Sequence, residues 1–86
     1  MFVILAYDIK EKRSQRFFRQ CSKYLYHQQK SLFVGEISNA ILNELLEKLS
    51  KILKEDDSLI IYRISNVKNV DYQEYGQRNT DSIIFD

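Results

Sequence analysis

Phe2-Val3-Ile4-Leu5-Ala6-Tyr7-Asp8-Ile9 is a continuous apolar run with a single acid near its end. Its length and its β-branched and aromatic content predict a strand. Alternation places Phe2, Ile4, Ala6 and Asp8 on one face and Val3, Leu5, Tyr7 and Ile9 on the other. Both faces are apolar, so both must be covered, and the strand belongs at the centre of a sheet.

The period changes after this strand. From about Lys12 to Leu25, Phe17, Cys21 and Tyr24, with Phe18 and Leu25, recur at spacings of three and four, while Arg13, Arg16, Gln20 and Lys23 fall elsewhere on the wheel. This predicts an amphipathic helix with a basic outer side. Cys21 sits in its apolar stripe and reads as a buried thiol. Tyr26 to Ile37 reads as extended, long enough for two short strands whose boundary no Asn-Gly or Asp-Gly turn marks. Gly35 reads as a bulge or bend within it.

Ser38 is the expected N-cap of a second helix, whose stripe is Ile41, Leu42, Leu45, Leu46, Leu49, Ile52 and Leu53. Glu44–Lys48 and Glu47–Lys51 add oriented i,i+4 pairs. Glu55-Asp56-Asp57 reads as a loop rather than a metal-binding acid cluster. Ser58-Leu59-Ile60-Ile61-Tyr62-Arg63-Ile64 is the next strand, again apolar on both sides, followed by a polar stretch and the β-prone Ser82-Ile83-Ile84-Phe85.

With the middle segment counted as two strands, the order is βαββαβ plus one, a ferredoxin-like α+β sandwich. Residues 1–64 form the domain and 65–86 an arm with a terminal strand. Two helices cover one face of such a sheet. The apolar character of the first and last core strands then predicts that the other face is buried against a second copy of the chain. The terminal strand is expected to join the partner's sheet edge.

Composition narrows the function. At 86 residues, 44% hydrophobic and 29% charged, the chain is one small folded domain. No run approaches the roughly 18 apolar residues of a membrane span, and the N-terminus does not read as a signal peptide. One cysteine suits a reducing cytoplasm, and one histidine excludes a His-rich metal site. The net charge of +1 hides an asymmetry. Residues 1–35 hold seven Lys/Arg against two acids (+5), and residues 36–86 hold six against ten (−4). A basic first third attracts phosphates, unless it is simply a solvated helix face.

Asp8 needs a reason for its position. An acid ending a buried strand is costly unless it is ionised and partnered at the sheet rim. It either caps the following loop or helix, or offers a carboxylate to a divalent cation such as Mg²⁺, which takes one or two carboxylates together with water and phosphate oxygens.

Several features together resemble the CRISPR-associated endonuclease two family, the small partner of the integrase in spacer acquisition. They are Val3-x-x-x-Tyr7-Asp8-Ile9, the basic helix, Gln29-x-Ser31-Leu32-Phe33-x-Gly35-x-Ile37, the leucine-rich helix, and Ile61-Tyr62-Arg63-Ile64. The resemblance covers residues 1–64 in order and spacing. It implies a ferredoxin-like homodimer in which Asp8 of each subunit faces its mate across a cleft. There the pair is similar to a divalent-metal site (Mg²⁺ or Mn²⁺) that hydrolyses phosphodiester bonds of RNA or duplex DNA.

The resemblance also implies that Arg13, Arg16 and Arg19 hold the nucleic-acid backbone, and that Tyr7, Ser31 and Phe33 match further motif positions in the binding region. Where many relatives carry arginine, this chain has His27. The implied partners are the adaptation integrase and protospacer DNA or RNA, in the cytoplasm and away from membranes.

Three functions stay open on the residues alone. The chain is a Mg²⁺-dependent endonuclease, a non-catalytic DNA scaffold between integrase subunits, or an unrelated ferredoxin-like RNA-binding or toxin-type module. The last is disfavoured because RNA-binding sheets expose aromatics and these strands offer mostly aliphatics.

Overall fold

The computed structural model describes residues 1–10, 12–66, 68, 70, 71, 73 and 75. Its elements run β1 (Phe2–Asp8), α1 (Lys12–Ser22), β2 (Tyr26–Gln29), β3 (Leu32–Glu36), α2 (Asn39–Ser50) and β4 (Ser58–Ile64). They form one four-stranded sheet in the order β2-β3-β1-β4, with every adjacent pair antiparallel. This is the ferredoxin-like arrangement, and β1 occupies one of its two central places. The strand expected at Ser82–Phe85 lies outside the described residues.

Alternation along β1 sorts its side chains as the sequence predicts. Val3 and Leu5 are fully buried and Tyr7 nearly so, in a core they share with Phe17 and Cys21 of α1, Phe33 of β3, and Leu42, Leu45 and Leu49 of α2. Burying each Leu or Phe stabilises the fold by roughly 1.5–3 kcal/mol. Leu42, Leu45 and Leu49 keep the i, i+3, i+7 spacing of one helix face. Ser38 caps α2 by accepting from the Ile41 N–H at 3.2 Å, and Lys48 lies 3.9 Å from Glu44.

One boundary and one irregularity differ from expectation. The first helix stops at Ser22, because Tyr24 and Leu25 both donate their N–H to the Cys21 carbonyl (3.0 and 2.8 Å) and turn the chain into β2. Tyr24 then joins the helices: its hydroxyl donates to Glu44 and accepts from Lys48 Nζ, each at 2.7 Å. The irregularity assigned to Gly35 belongs to β2 instead. Gly35 pairs regularly with Val3, whereas the register of β2 shifts between His27 and Gln29. Glycine serves at position 35 because a Cβ there would stand 2.9 Å from Leu25 Cδ2.

The second face of the sheet is apolar and only partly covered. A cross-strand row runs Tyr26, Val34, Ile4, Tyr62, and a second runs Leu32, Ala6, Ile60. Tyr26, Tyr62 and Ile60 are 61%, 57% and 49% exposed. The face is mostly aliphatic, as expected, with one tyrosine at each sheet edge. Phe2 is buried on this face and lines a cavity of about 430 Å³ with Ile4, Val34, Val70, Gln73 and Tyr75.

Candidate functional site

The Asp8 site begins where β1 outruns β3. The last β1–β3 register pair is Ala6 with Leu32, and the Tyr7 N–H still donates to the Ser31 carbonyl at 3.1 Å. Asp8 lies one residue further and is paired only on its other side, with Ser58 at the start of β4. By strand parity it belongs to the partly covered apolar face, and it is exposed. Among the described residues, no hydrogen bond or ion pair engages its carboxylate, and no group of three His, Cys, Asp or Glu side chains stands close enough to hold a metal ion. One chain thus offers a single hydrated carboxylate at a sheet rim. That suits a cation that retains water and phosphate oxygens and does not suit an all-protein cage.

Tyr7 points the opposite way. Its ring packs on Phe17 at 4.7 Å and stacks on Phe33 at 6.1 Å, with 20° between the planes of the latter pair. Burial pushes its phenol above the usual value, the nearby Cys21 adds to the effect, and a hydrogen bond with the Ser31 side chain opposes it. Phe33 is fully buried and Ser31 half-buried. The structure therefore brings Tyr7, Ser31 and Phe33 together on the helix side of the sheet, beneath Asp8 and not beside it.

His27 extends this aromatic group. It meets Phe18 at 4.7 Å and Phe33 at 5.1 Å, and its Nε2 donates to the Lys30 carbonyl at 2.7 Å. Lys30 needs that support, because its φ of 43° lies in the left-handed region that favours glycine. The Gln29–Gly35 motif is thus a turn-and-packing device that sets the end of β3 against the end of β1. Cys21 is fully buried and its thiol is pushed up to about 12 by that burial, which leaves essentially no nucleophilic thiolate.

The three helix arginines divide. Arg13 turns inward and holds Asp57 through Nε (3.2 Å) and Nη2 (2.7 Å). Arg16 and Arg19 are exposed. Lys12 is exposed as well, and positions 12, 16 and 19 recur at helical spacing as a cationic stripe opposite the buried Phe17 and Cys21, with the exposed Lys23 following in the turn just past the helix end. Sequence reasoning counted Lys12 and Lys23 in the basic segment and set Lys23 on the outer side of the helix, but nominated neither as a phosphate contact. It also passed over Asp57, which nothing distinguishes from its acidic neighbours until Arg13 is seen to reach it.

Comparison with known proteins follows the same outline. The family model described as CRISPR associated protein Cas2 matches residues 1–71. The chain is similar to the CRISPR-associated endoribonuclease Cas2 of Fusobacterium nucleatum, 34% identical over 92 aligned positions that cover 98% of this chain and 87% of that protein. It is similar also to the CRISPR-associated endoribonuclease Cas2 of Frankia alni, 36% identical over 87 positions, covering 98% of this chain and all of that protein (100%). Among solved structures, a crystal structure of cas2 superposes with a TM-score of 0.85 at 38% identity, over 99% of this chain and 97% of that one. Streptococcus pyogenes Cas2 at pH 6.5 shares the fold, with a TM-score of 0.71 at 24% identity over 86% of this chain and 100% of that one.

Proposed function

The chain belongs to the CRISPR associated protein Cas2 family, and from that premise we propose that it is a metal-dependent endonuclease of CRISPR adaptation, working as a homodimer alongside the adaptation integrase. The observation that carries this reading is Asp8: an exposed carboxylate without a side-chain partner among the described residues, at the rim of an apolar sheet face that a single chain leaves only partly covered. Packing that face on a second copy covers Ile60, Tyr62 and Ile4 and brings two strand-end carboxylates toward one cleft. The matched relatives are named endoribonucleases. RNA therefore comes first among the substrates, with duplex DNA as the alternative.

Mg²⁺ or Mn²⁺ fits a pair of Asp8 carboxylates, and when bound it supplies Lewis-acid polarisation of the phosphodiester and a lowered pKa of its water. The chain's own residues do the remaining work. Asp8 contributes charge and orientation at the scissile phosphate. Lys12, Arg16, Arg19 and Lys23 neutralise backbone phosphates along α1 and just past its end. The Tyr7–Phe33 packing holds the end of β1 still, so that the carboxylate does not have to be ordered when substrate arrives.

A mixing experiment tests this reading. Wild-type and Asp8→Asn chains, exchanged at varied ratios and assayed on labelled RNA and duplex DNA in Mg²⁺, should lose activity as roughly the square of the wild-type fraction. A linear loss would mean that each Asp8 acts independently of its mate, and activity indifferent to Asp8 would remove the site altogether. A second reading is a scaffold that lays nucleic acid across the basic stripe without cutting it, and the single carboxylate per chain favours it. It predicts tight binding with no metal-dependent product.

A further inference from the structure

Asp57 is a covered carboxylate in a surface turn. Its side chain has 0% exposure, and it accepts four hydrogen bonds from three segments of the chain. Oδ1 receives Arg13 Nη2 at 2.7 Å and the Lys10 N–H at 3.3 Å, while Oδ2 receives Arg13 Nε at 3.2 Å and the Lys54 N–H at 2.9 Å. The Asp57 N–H in turn donates to the Lys54 carbonyl at 3.0 Å, closing the turn. A two-point guanidinium–carboxylate contact fixes orientation as well as distance.

The position of this carboxylate gives it meaning. Lys10 lies two residues beyond Asp8 in the chain. Asp57 immediately precedes Ser58, the cross-strand partner of Asp8. Arg13 stands in the first turn of α1, the helix that carries the cationic stripe. A single side chain therefore gathers the loop leaving Asp8, the start of the basic helix and the entry to the neighbouring strand. Arg13 also holds the Asp57 carboxyl down to about 2, with burial opposing and the Lys54 and Lys10 amides assisting. The contact is consequently ionised and closed wherever a nuclease operates.

We propose that Asp57 is the positioning residue of the Asp8 corner: its carboxylate locks the β1–α1 loop and the first turn of α1 to the start of β4, and so fixes where the Asp8 carboxylate stands relative to the cationic stripe. The catalytic part of this inference rests on the reading of Asp8 given above. A residue that only closed the surface turn would affect stability without altering the geometry at Asp8.

The test compares the full-length chain with Asp57→Asn, Arg13→Ala and Arg13→Lys. In the wild type, the Arg13 Nε–H should give a slowly exchanging NMR resonance that the exposed Arg16 and Arg19 do not, and it should vanish in Asp57→Asn. The amides of Ile9, Lys10 and Lys54 should exchange at least tenfold faster in Asp57→Asn and in Arg13→Ala. Arg13→Lys, which keeps the charge and loses the two-point contact, should fall between them and serves if the Asp57 variant does not fold.

Metal-dependent cleavage should lose at least tenfold in kcat with KM changed less than twofold. Unchanged exchange at Ile9 and Lys10 would overturn the proposal. So would a released corner that leaves kcat within twofold of wild type. A wild-type chain that cuts nothing would defeat the nuclease reading alone, and the exchange measurements would then decide the positioning role by themselves.

Discussion

Tyr7 and Asp8 are consecutive in the chain, yet they serve opposite sides of the sheet: Tyr7 is 8% exposed and packs on Phe17 and Phe33, while Asp8 stands exposed at the rim of the other face. The pair is a joint between core and chemistry. The first residue anchors the strand end, and the second presents a charge from it.

Because Asp8 makes no hydrogen bond or ion pair among the described residues, Asp8→Asn should shift the thermal midpoint by no more than about 2–4 °C, in line with the small effects of surface substitutions. Cleavage in Mg²⁺ should disappear with it, and should disappear equally when wild type is treated with EDTA. Calorimetry beside a gel assay checks both, and a cleaving Asp8→Asn would assign the activity elsewhere.

Tyr7, Ser31 and Phe33 should report on stability before they report on binding. Phe33→Ala empties a fully buried site and should cost about 3–5 kcal/mol. Tyr7→Phe keeps the ring on Phe17 and Phe33 and should cost no more than about 1 kcal/mol. Urea melts measure both. A Phe33→Ala chain of unchanged stability and weakened RNA binding would return Phe33 to the nucleic-acid interface.

The arginines should separate in a salt titration of nucleic-acid binding. Replacing Arg16 and Arg19 by Ala should flatten the slope of log K against log salt by roughly 0.7–0.9 per lost phosphate contact, depending on the strand. Arg13→Ala should leave the slope alone and lower the thermal midpoint, because its guanidinium is committed to Asp57. The opposite pattern would mean that Arg13 leaves Asp57 when substrate binds.

Acid should release the Asp57 contact within a defined window. Its carboxyl is lowered from about 3.8 to about 2 on folding, so its stabilisation is fully present above the higher value and is lost as pH falls toward the lower one. Asp57→Asn should be less stable than wild type at pH 7, and the difference should shrink between pH 4 and pH 2. A difference independent of pH across that range would remove the charge from the explanation.

Cys21 should be silent in the folded chain. Its burial and its thiol near 12 predict that a disulfide reagent at pH 8 labels it only in the unfolded fraction of the chain, so adding urea should raise the labelling rate in step with that fraction.

Much of this architecture is legible in the sequence because it rests on periodicity. Alternation along Phe2–Asp8 and the leucine spacing of α2 each express burial, and burial is what these elements obey, whereas the apolar run at Ser58–Ile64 is an edge strand with no fully buried position. Asp8 was legible too, since a lone acid closing an apolar strand violates its surroundings. The division among Arg13, Arg16 and Arg19 was not. All three are cations on one helix, and only the fold brings Asp57 within reach of the first. The roles of Ser31 and Phe33 were hidden for a related reason: a motif states which residues recur and not which side of a sheet they occupy. Gly35 misled, because a glycine that admits Leu25 looks in sequence like one that bends a strand.

The irregularity of β2 at Gln28 has a consequence for the length of the chain. Tyr26 lies opposite Val34 and His27 opposite Phe33, whereas Gln29, two positions on, lies opposite Leu32, the very next residue back. One residue has been spent without advancing the ladder, and a strand's side chains obey odd–even parity. Deleting Gln28 while keeping the turn would remove that extra residue and restore a regular ladder, with His27 still opposite Phe33 and Tyr26 still opposite Val34. What the shorter strand would lose is the bend of the bulge, which sets how the imidazole reaches the Lys30 carbonyl of the left-handed turn.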